Sequence, residues 1–131
     1  IDLNLLDVII NAAGLSKDDL VIEVGSGTGG LTARHVEEAG AVLSVEIDPA
    51  FYQLTQETIR ESERVVLINA DVLETKNKLN PEVLEPLARL RESSGLKRLK
   101  LVANLPYAVA TPVISNFLLT DLPFDRMVVM V

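Results

Sequence analysis

Glycines at 25, 27 and 30 in Glu23-Val24-Gly25-Ser26-Gly27-Thr28-Gly29-Gly30 match the G-x-G-x-x-G spacing, which lets bare backbone approach a ligand while a following helix start offers unpaired N–H groups. The same spacing also fits a glycine-rich turn that holds nothing. Glu46 follows about twenty residues after Gly25, where a carboxylate can accept both hydroxyls of a ribose. NAD and S-adenosylmethionine share that ribose, so Glu46 does not choose between them. Asp71, in Asn69-Ala70-Asp71-Val72, is placed to accept a hydrogen bond from an adenine amino group or to form a turn. Each of these residues ends an apolar run, and together Gly25, Glu46 and Asp71 outline a pocket for an adenosine-bearing ligand. A fourth run ends in Asn104-Leu105-Pro106-Tyr107, which taken alone also reads as a proline turn capped by Asn104 with Tyr107 in the core.

The elements that must carry these residues follow from apolar periodicity. Leu3, Leu6, Val8, Ile9 and Ile10 predict a helix ending at Gly14, and Leu20 to Val24 a short strand. Leu31 to Ala39 reads as a helix closed by Gly40, and Val42 to Ile47 as a second strand. Asp48-Pro49 caps and opens a helix continuing from Phe51 to Arg60. Val65 to Ile68 is a third strand. Asn80-Pro81 starts a helix toward Arg91, disturbed at Pro86 and broken at Ser93-Ser94-Gly95. Leu99 to Ala103 is a fourth strand, Thr111-Pro112 opens a helix through Leu119, and Arg126 to Val131 is a fifth strand. Alternating helices and strands, with strands apolar on both faces, imply a doubly wound α/β fold with a parallel sheet between helix layers. Ligands in such folds sit at the carboxyl ends of the strands.

Asn104-Leu105-Pro106-Tyr107 resembles the tetrapeptide of methyltransferases that modify exocyclic amines. The longer NLPYAVATP, with EVGSGTGGLT, VEID and NADVLE in the same order, resembles the ribosomal RNA adenine N6,N6-dimethyltransferase family, small-subunit type. The resemblance implies a Rossmann-like class I S-adenosylmethionine-dependent methyltransferase fold, incomplete at both ends. It implies S-adenosylmethionine held by Glu23, Gly25, Ser26, Gly27, Thr28, Glu46, Ile47, Asp71, Val72 and Asn104. In the implied chemistry the Asn104 side-chain oxygen and the Leu105 carbonyl accept the two amine hydrogens of adenine, Pro106 turns both acceptors one way, and Tyr107 stacks on the base. The implied partner is ribosomal RNA of a small-subunit precursor. Ala108 and Ser26 depart from the family pattern, in which a polar or aromatic residue and a proline are frequent. Other readings are a non-catalytic family member acting in ribosome assembly or transcription, and an NAD-dependent dehydrogenase domain, which leaves Asn104 to Tyr107 without a role.

Composition sets the remaining bounds. A net charge of -7 argues against a large basic footprint for nucleic acid. Arg89, Arg91, Lys97, Arg98 and Lys100 form a cluster that either contacts phosphate or makes a solvated face. The chain has no cysteine, hence no disulfide and no thiolate metal site, in keeping with a reducing cytoplasm. His35, among Arg34, Glu37 and Glu38, reads as a surface histidine, and no metal is expected. Leu101 to Thr120 is uncharged, but Pro106, Pro112, Asn104 and Asn116 argue against a membrane span. An apolar opening at Ile1-Asp2-Leu3 without Met, and a last strand ending at Val131, lead us to expect further sequence on both sides.

Overall fold

The structure is a computed structural model that describes residues 3–131; Ile1 and Asp2, read above as part of the first apolar pattern, lie outside the described residues. In chain order the elements are α1 (Leu3–Ala13), β1 (Asp19–Val24), α2 (Gly30–Glu38), β2 (Ala41–Glu46), α3 (Pro49–Thr58), β3 (Val65–Asn69), β4 (Leu73–Thr75), β5 (Lys78–Leu79), α4 (Pro81–Ser94), β6 (Arg98–Asn104), α5 (Tyr107–Leu118) and β7 (Phe124–Met130). Five strands form a sheet in the order β3-β2-β1-β6-β7, every neighbouring pair parallel. β1 therefore lies in the middle, and the chain departs from it first to one side and then to the other. That is the doubly wound topology, with a crevice where the direction reverses.

Side-chain alternation sorts the two layers. Val21, Val42 and Val102 pack with Leu6, Ile9, Ile10 and Leu31, from α1 and α2, on one face. Leu20, Ile22, Leu43 and Leu101 pack with Val83, Leu87, Val113 and Phe117, from α4 and α5, on the other. All six residues of β1 and of β2 are buried, as a parallel sheet covered on both sides requires.

Three local readings change. The last helix begins at Tyr107, four residues before Thr111, because the Pro106 carbonyl already accepts the Val109 and Ala110 N–H groups at 3.0 and 3.1 Å; Pro112 is accommodated inside it. A small antiparallel pair, β4 and β5, fills the stretch after Asp71, where the sequence carries no clear alternation. The basic cluster is not one surface. Lys100, 3% exposed, reaches Asp19 at 3.1 Å and the Ala13 and Gly14 carbonyls at 3.0 and 3.1 Å, while Arg98 meets Asp19 at 2.8 Å. Burial works to raise the Asp19 pKa, but the Ser16 N–H and these two cations outweigh it and hold the carboxylate below its usual range. Lys100 shares the parity of Val102, so it points under α1 and not to solvent, and with Arg98 it serves the end of the sheet opposite the carboxyl ends. No helix among the described residues is long and apolar enough to cross a membrane.

Two glycines separate crowding from backbone conformation. A Cβ on Gly40 would lie 2.1 Å from the Lys17 carbonyl oxygen and 2.7 Å from Leu96 Cδ1, whereas Gly95, the αL cap of α4 at φ 70°, has open space around it. Gly40→Ala should cost more than about 3 kcal/mol, since backbone must move, and Gly95→Ala about 1 kcal/mol for the left-handed conformation alone. Urea unfolding midpoints of the two variants check the order.

Candidate active site

The carboxyl ends of β1, β2, β3 and β6 surround a cleft of about 570 Å³. β1 ends in Gly25, whose φ of 82° is open to glycine at little cost and whose N–H donates to Val45 O at 2.7 Å. A Cβ there would sit 3.7 Å from the Asn104 carbonyl oxygen and 3.6 Å from Leu105 Cδ2, so the absent side chain lets the loop and the end of β6 close around one space. Gly25, Gly27, Glu46, Ile47, Asp71, Val72, Asn104, Leu105 and Pro106 all line this cleft. Ser26 and Thr28 line an adjoining hollow of about 220 Å³ that shares Gly25, Gly27 and Asn104 with it.

Glu46 is almost fully buried, and its carboxylate is aimed by backbone donors. Oε1 accepts from Gly27 N at 2.8 Å and Oε2 from Asp48 N at 3.0 Å. Asn69 Nδ2 ties down the end of β2 by donating to the Glu46 and Ile47 carbonyls at 2.9 and 3.2 Å. Asp48 caps α3, as its position before Pro49 suggested, by accepting from Ala50 N. Asp71 forms a turn, its Oδ1 accepting from Leu73 N at 3.0 Å, and the residue also lines the cleft.

At the end of β6 the Leu105 N–H donates to Met130 O at 2.8 Å, which fixes the backbone. Among the described residues the Leu105 carbonyl and the Asn104 side-chain amide make no hydrogen bond, although both residues line the cleft. Tyr107 opens α5 with its side chain outside the core, 81% exposed. The alternative of a core tyrosine is thereby excluded; Tyr107 stands beside the cleft and does not line it.

Phe51, Leu73, Lys76, Val109 and Pro112 also line the cleft without having been read as site residues. Phe51 had a visible signal, an aromatic residue one turn after the Asp48 cap, on a helix with little apolar periodicity. Lys76 had none, because the β4–β5 pair that carries it was not anticipated.

Glu23 and His35 are corrections. Glu23, expected among the cofactor contacts, is fully buried and lines neither hollow; it shares the parity of Val21 and so faces α2. There its Oε1 accepts from Thr32 Oγ1 and from Ser44 Oγ, the latter at 2.7 Å. His35 is fully buried too, its Nε2 3.2 Å from Val102 O and 3.6 Å from Glu23 Oε2. The helical step from Leu31 and Thr32 turns His35 inward, while its charged neighbour Arg34 pairs with Asp7 and Glu38 outside. Burial pushes the Glu23 carboxyl up to about 7, against the pull of Thr32 and Ser44. Burial also pushes His35 down to about 4, against the opposing Val102 carbonyl.

Solved structures put this arrangement in the class I S-adenosylmethionine-dependent methyltransferase fold. The 23S rRNA methyltransferase ErmE matches with a TM-score of 0.67 at 23% identity, over 98% of this chain and 43% of that one. An RNA methyltransferase from Salinibacter ruber, solved in complex with S-adenosyl-L-homocysteine, matches with a TM-score of 0.59 at 17% identity, over 88% of this chain and 66% of that one. At the level of sequence, the match to the ribosomal RNA adenine dimethylase family runs over residues 1–131, and the chain belongs to that family. Ribosomal RNA small subunit methyltransferase A of Pediococcus pentosaceus is 43% identical over 129 residues, which are 98% of this chain and 41% of that protein. The chain thus spans about two fifths of the length of the curated relatives it matches.

The buried pair under the glycine loop makes stability depend on pH in two opposed ways. Glu23, raised from 4.5 to about 7, contributes stability that is full below pH 4.5 and lost as pH rises through 7. His35, lowered from 6.5 to about 4, contributes stability that is full above pH 6.5 and lost as pH falls through 4. Glu23→Gln removes the first titration only. Its melting temperature relative to the parent chain should therefore rise steadily between pH 4.5 and pH 7.5 in thermal scans. A charged Glu23–His35 pair at neutral pH would give the reverse, with the variant weakest at pH 7.

Proposed function

We propose that this chain binds S-adenosylmethionine in the cleft between β1, β2 and β6, and is the cofactor-holding part of an enzyme that dimethylates N6 of adenines in small-subunit ribosomal RNA. The observation that carries this reading is that Asn104 and Leu105, whose side-chain amide and carbonyl make no hydrogen bond among the described residues, line the same cleft as Glu46 and Asp71. Family membership and the names of the relatives support the reaction, and the S-adenosylhomocysteine in the Salinibacter ruber protein supports the cofactor. The residues present suit that cofactor. Glu46 is held by two backbone N–H groups with lone pairs left for ribose hydroxyls, Ile47 and Val72 offer apolar walls, and Asp71 suits an adenine amine. The missing Cβ at Gly25 leaves room beside Asn104.

The adenine amine is a weak nucleophile because its lone pair is delocalised into the ring. Asn104 Oδ1 and the Leu105 carbonyl oxygen each accept one of its hydrogens, which turns the lone pair out of the ring plane and along one line. The exposed Tyr107 ring stacks on a base that has left its helix or loop. When bound, the cofactor supplies an electrophilic methyl on a sulfonium. The methylated amine is acidic enough to lose its proton to water, so His35, the chain's single histidine, is not needed as a base and is buried away from the cleft. A reducing cytoplasm suits both the ribosomal substrate and the absence of cysteine.

The test replaces the corresponding segment of the Pediococcus pentosaceus relative with these 131 residues and follows labelled methyl transfer to immature small subunits. Adjacent dimethyladenosines are the expected product. Asn104→Ala should lower the transfer rate about 100-fold or more, and Tyr107→Ala should raise the KM for RNA about tenfold through lost stacking. Undiminished transfer by Asn104→Ala sinks the mechanism, and binding of NAD in place of S-adenosylmethionine by the chain sinks the cofactor.

A further inference from the structure

Helix α3 holds Glu46 at its start and the glycine loop two turns later. Its capping residue Asp48 gives its backbone N–H to Glu46 Oε2 at 3.0 Å. Two turns later Thr55, 1% exposed, sits against the other side of the loop. Its Oγ1 is 2.9 Å from Ser26 Oγ and 3.4 Å from the Gly27 carbonyl oxygen, and a Cβ on Gly29 would meet its side chain at 3.6 Å. Ser26 and Gly27 then lie between Thr55 and Glu46: Gly27 N donates to Glu46 Oε1 at 2.8 Å, and Ser26 Oγ comes within 3.5 Å of the same oxygen.

A glutamate side chain has three rotatable bonds, so the direction of its carboxylate is set by the groups that grip it. Here the gripping groups are two backbone N–H donors from different segments, Gly27 on the loop and Asp48 at the start of α3. They converge on one carboxylate only while the loop keeps a fixed distance from α3. Thr55 is the buried polar side chain on α3 that spans this gap. Each hydroxyl has one proton to give: Thr55 Oγ1 has the Phe51 carbonyl of its own helix as its nearest acceptor at 3.0 Å, so Ser26 donates to Thr55 and ties the loop to α3, while the Gly27 N–H remains the loop's donor to Glu46.

We propose that Thr55 is a positioning residue for the cofactor: through Ser26 and Gly27 it holds the Glu46 carboxylate in the orientation that takes the two ribose hydroxyls. The proposal rests on the reading above that Glu46 binds a ribose. Thr55 itself touches no ligand. Its effect should therefore vanish when the ligand has no ribose hydroxyls, which a general role in folding would not predict.

The experiment measures dissociation constants of the chain for S-adenosylhomocysteine and for its 2′,3′-dideoxy analogue by calorimetry, with thermal scans as a control for folding. Thr55→Val should weaken S-adenosylhomocysteine about five- to tenfold, the loss of about one hydrogen bond, and leave the dideoxy analogue within about twofold. Thr55→Ser should keep the preference for the hydroxylated ligand, and Ser26→Ala should reduce it as Thr55→Val does, which keeps the proposal testable if the valine variant does not fold. Equal weakening of both ligands in Thr55→Val or Ser26→Ala, or no weakening of either, overturns the proposal while leaving Glu46 in place. Glu46→Gln tells the two levels apart: if it does not abolish the preference for the hydroxylated ligand, the ribose reading of Glu46 itself fails.

Discussion

The position of β1 at the centre of the sheet is the constraint on which the site depends. A parallel strand must hand its chain to a helix before the next strand can begin beside it, and from β1 the successive handovers go first toward β2 and β3 and then toward β6 and β7. No connection therefore roofs the space where the two directions part. Gly25 stands at that point, bonded to β2 through Val45 and close to the carbonyl of Asn104 on β6. Three strand ends meet there with no side chain between them, and the polar residues at the ends of β2, β3 and β6, Glu46, Asp71 and Asn104, are left around one hollow.

The opposite end of the sheet is built for permanence. Asp19, Lys100 and Arg98 form an ionic cluster in which the carboxylate is fully buried, and Lys100 and Arg126 both donate to carbonyls at the end of α1. Buried charges recover their desolvation cost only when every polar atom is engaged, and here the helix end and the carboxylate engage them together. Loss of either partner leaves an uncompensated charge, which costs about 3 to 5 kcal/mol in such settings. Of the five cations that composition offered as phosphate contacts, Arg98 and Lys100 are thus committed to holding the end of α1 and the turn after it against β1 and β6. The cleft edge is left with few positive groups, Lys76 among them.

Much of this was legible from residues in order. Apolar runs bounded by Gly14, Gly40 and Asp48-Pro49 located the helices and strands within a few residues, and the four strand ends at Gly25, Glu46, Asp71 and Asn104 located the cleft. What sequence could not show is phase and tertiary contact. His35 sits among charges along the chain, yet one helical step from Leu31 and Thr32 turns it to the sheet. Lys100 lies in a strand whose parity directs it under α1, where carbonyls wait for it. Glu23 belongs to the glycine motif by position and to the α2 interface by parity. Thr55 carries no motif at all; only the approach of α3 to the loop, two turns past Asp48, gives its hydroxyl a partner. The start of α5 was misplaced because the Thr111-Pro112 pair is a stronger local start signal than Pro106, although the Pro106 carbonyl begins the helix.

Tyr107 has one more consequence. Its backbone is fixed as the first residue of α5, yet its ring is 81% exposed, so no core packing holds the phenol in one rotamer. Immobilising such a side chain costs about 0.5 to 1.5 kcal/mol, and that cost falls at the moment a flat partner lands on it. An aromatic guest already unstacked from its own neighbours meets only this charge, while one still inside a duplex must also break its stacking first. In the stacking role proposed for Tyr107, a base already out of its helix would be favoured over one still stacked, before any hydrogen bond to Asn104 has formed.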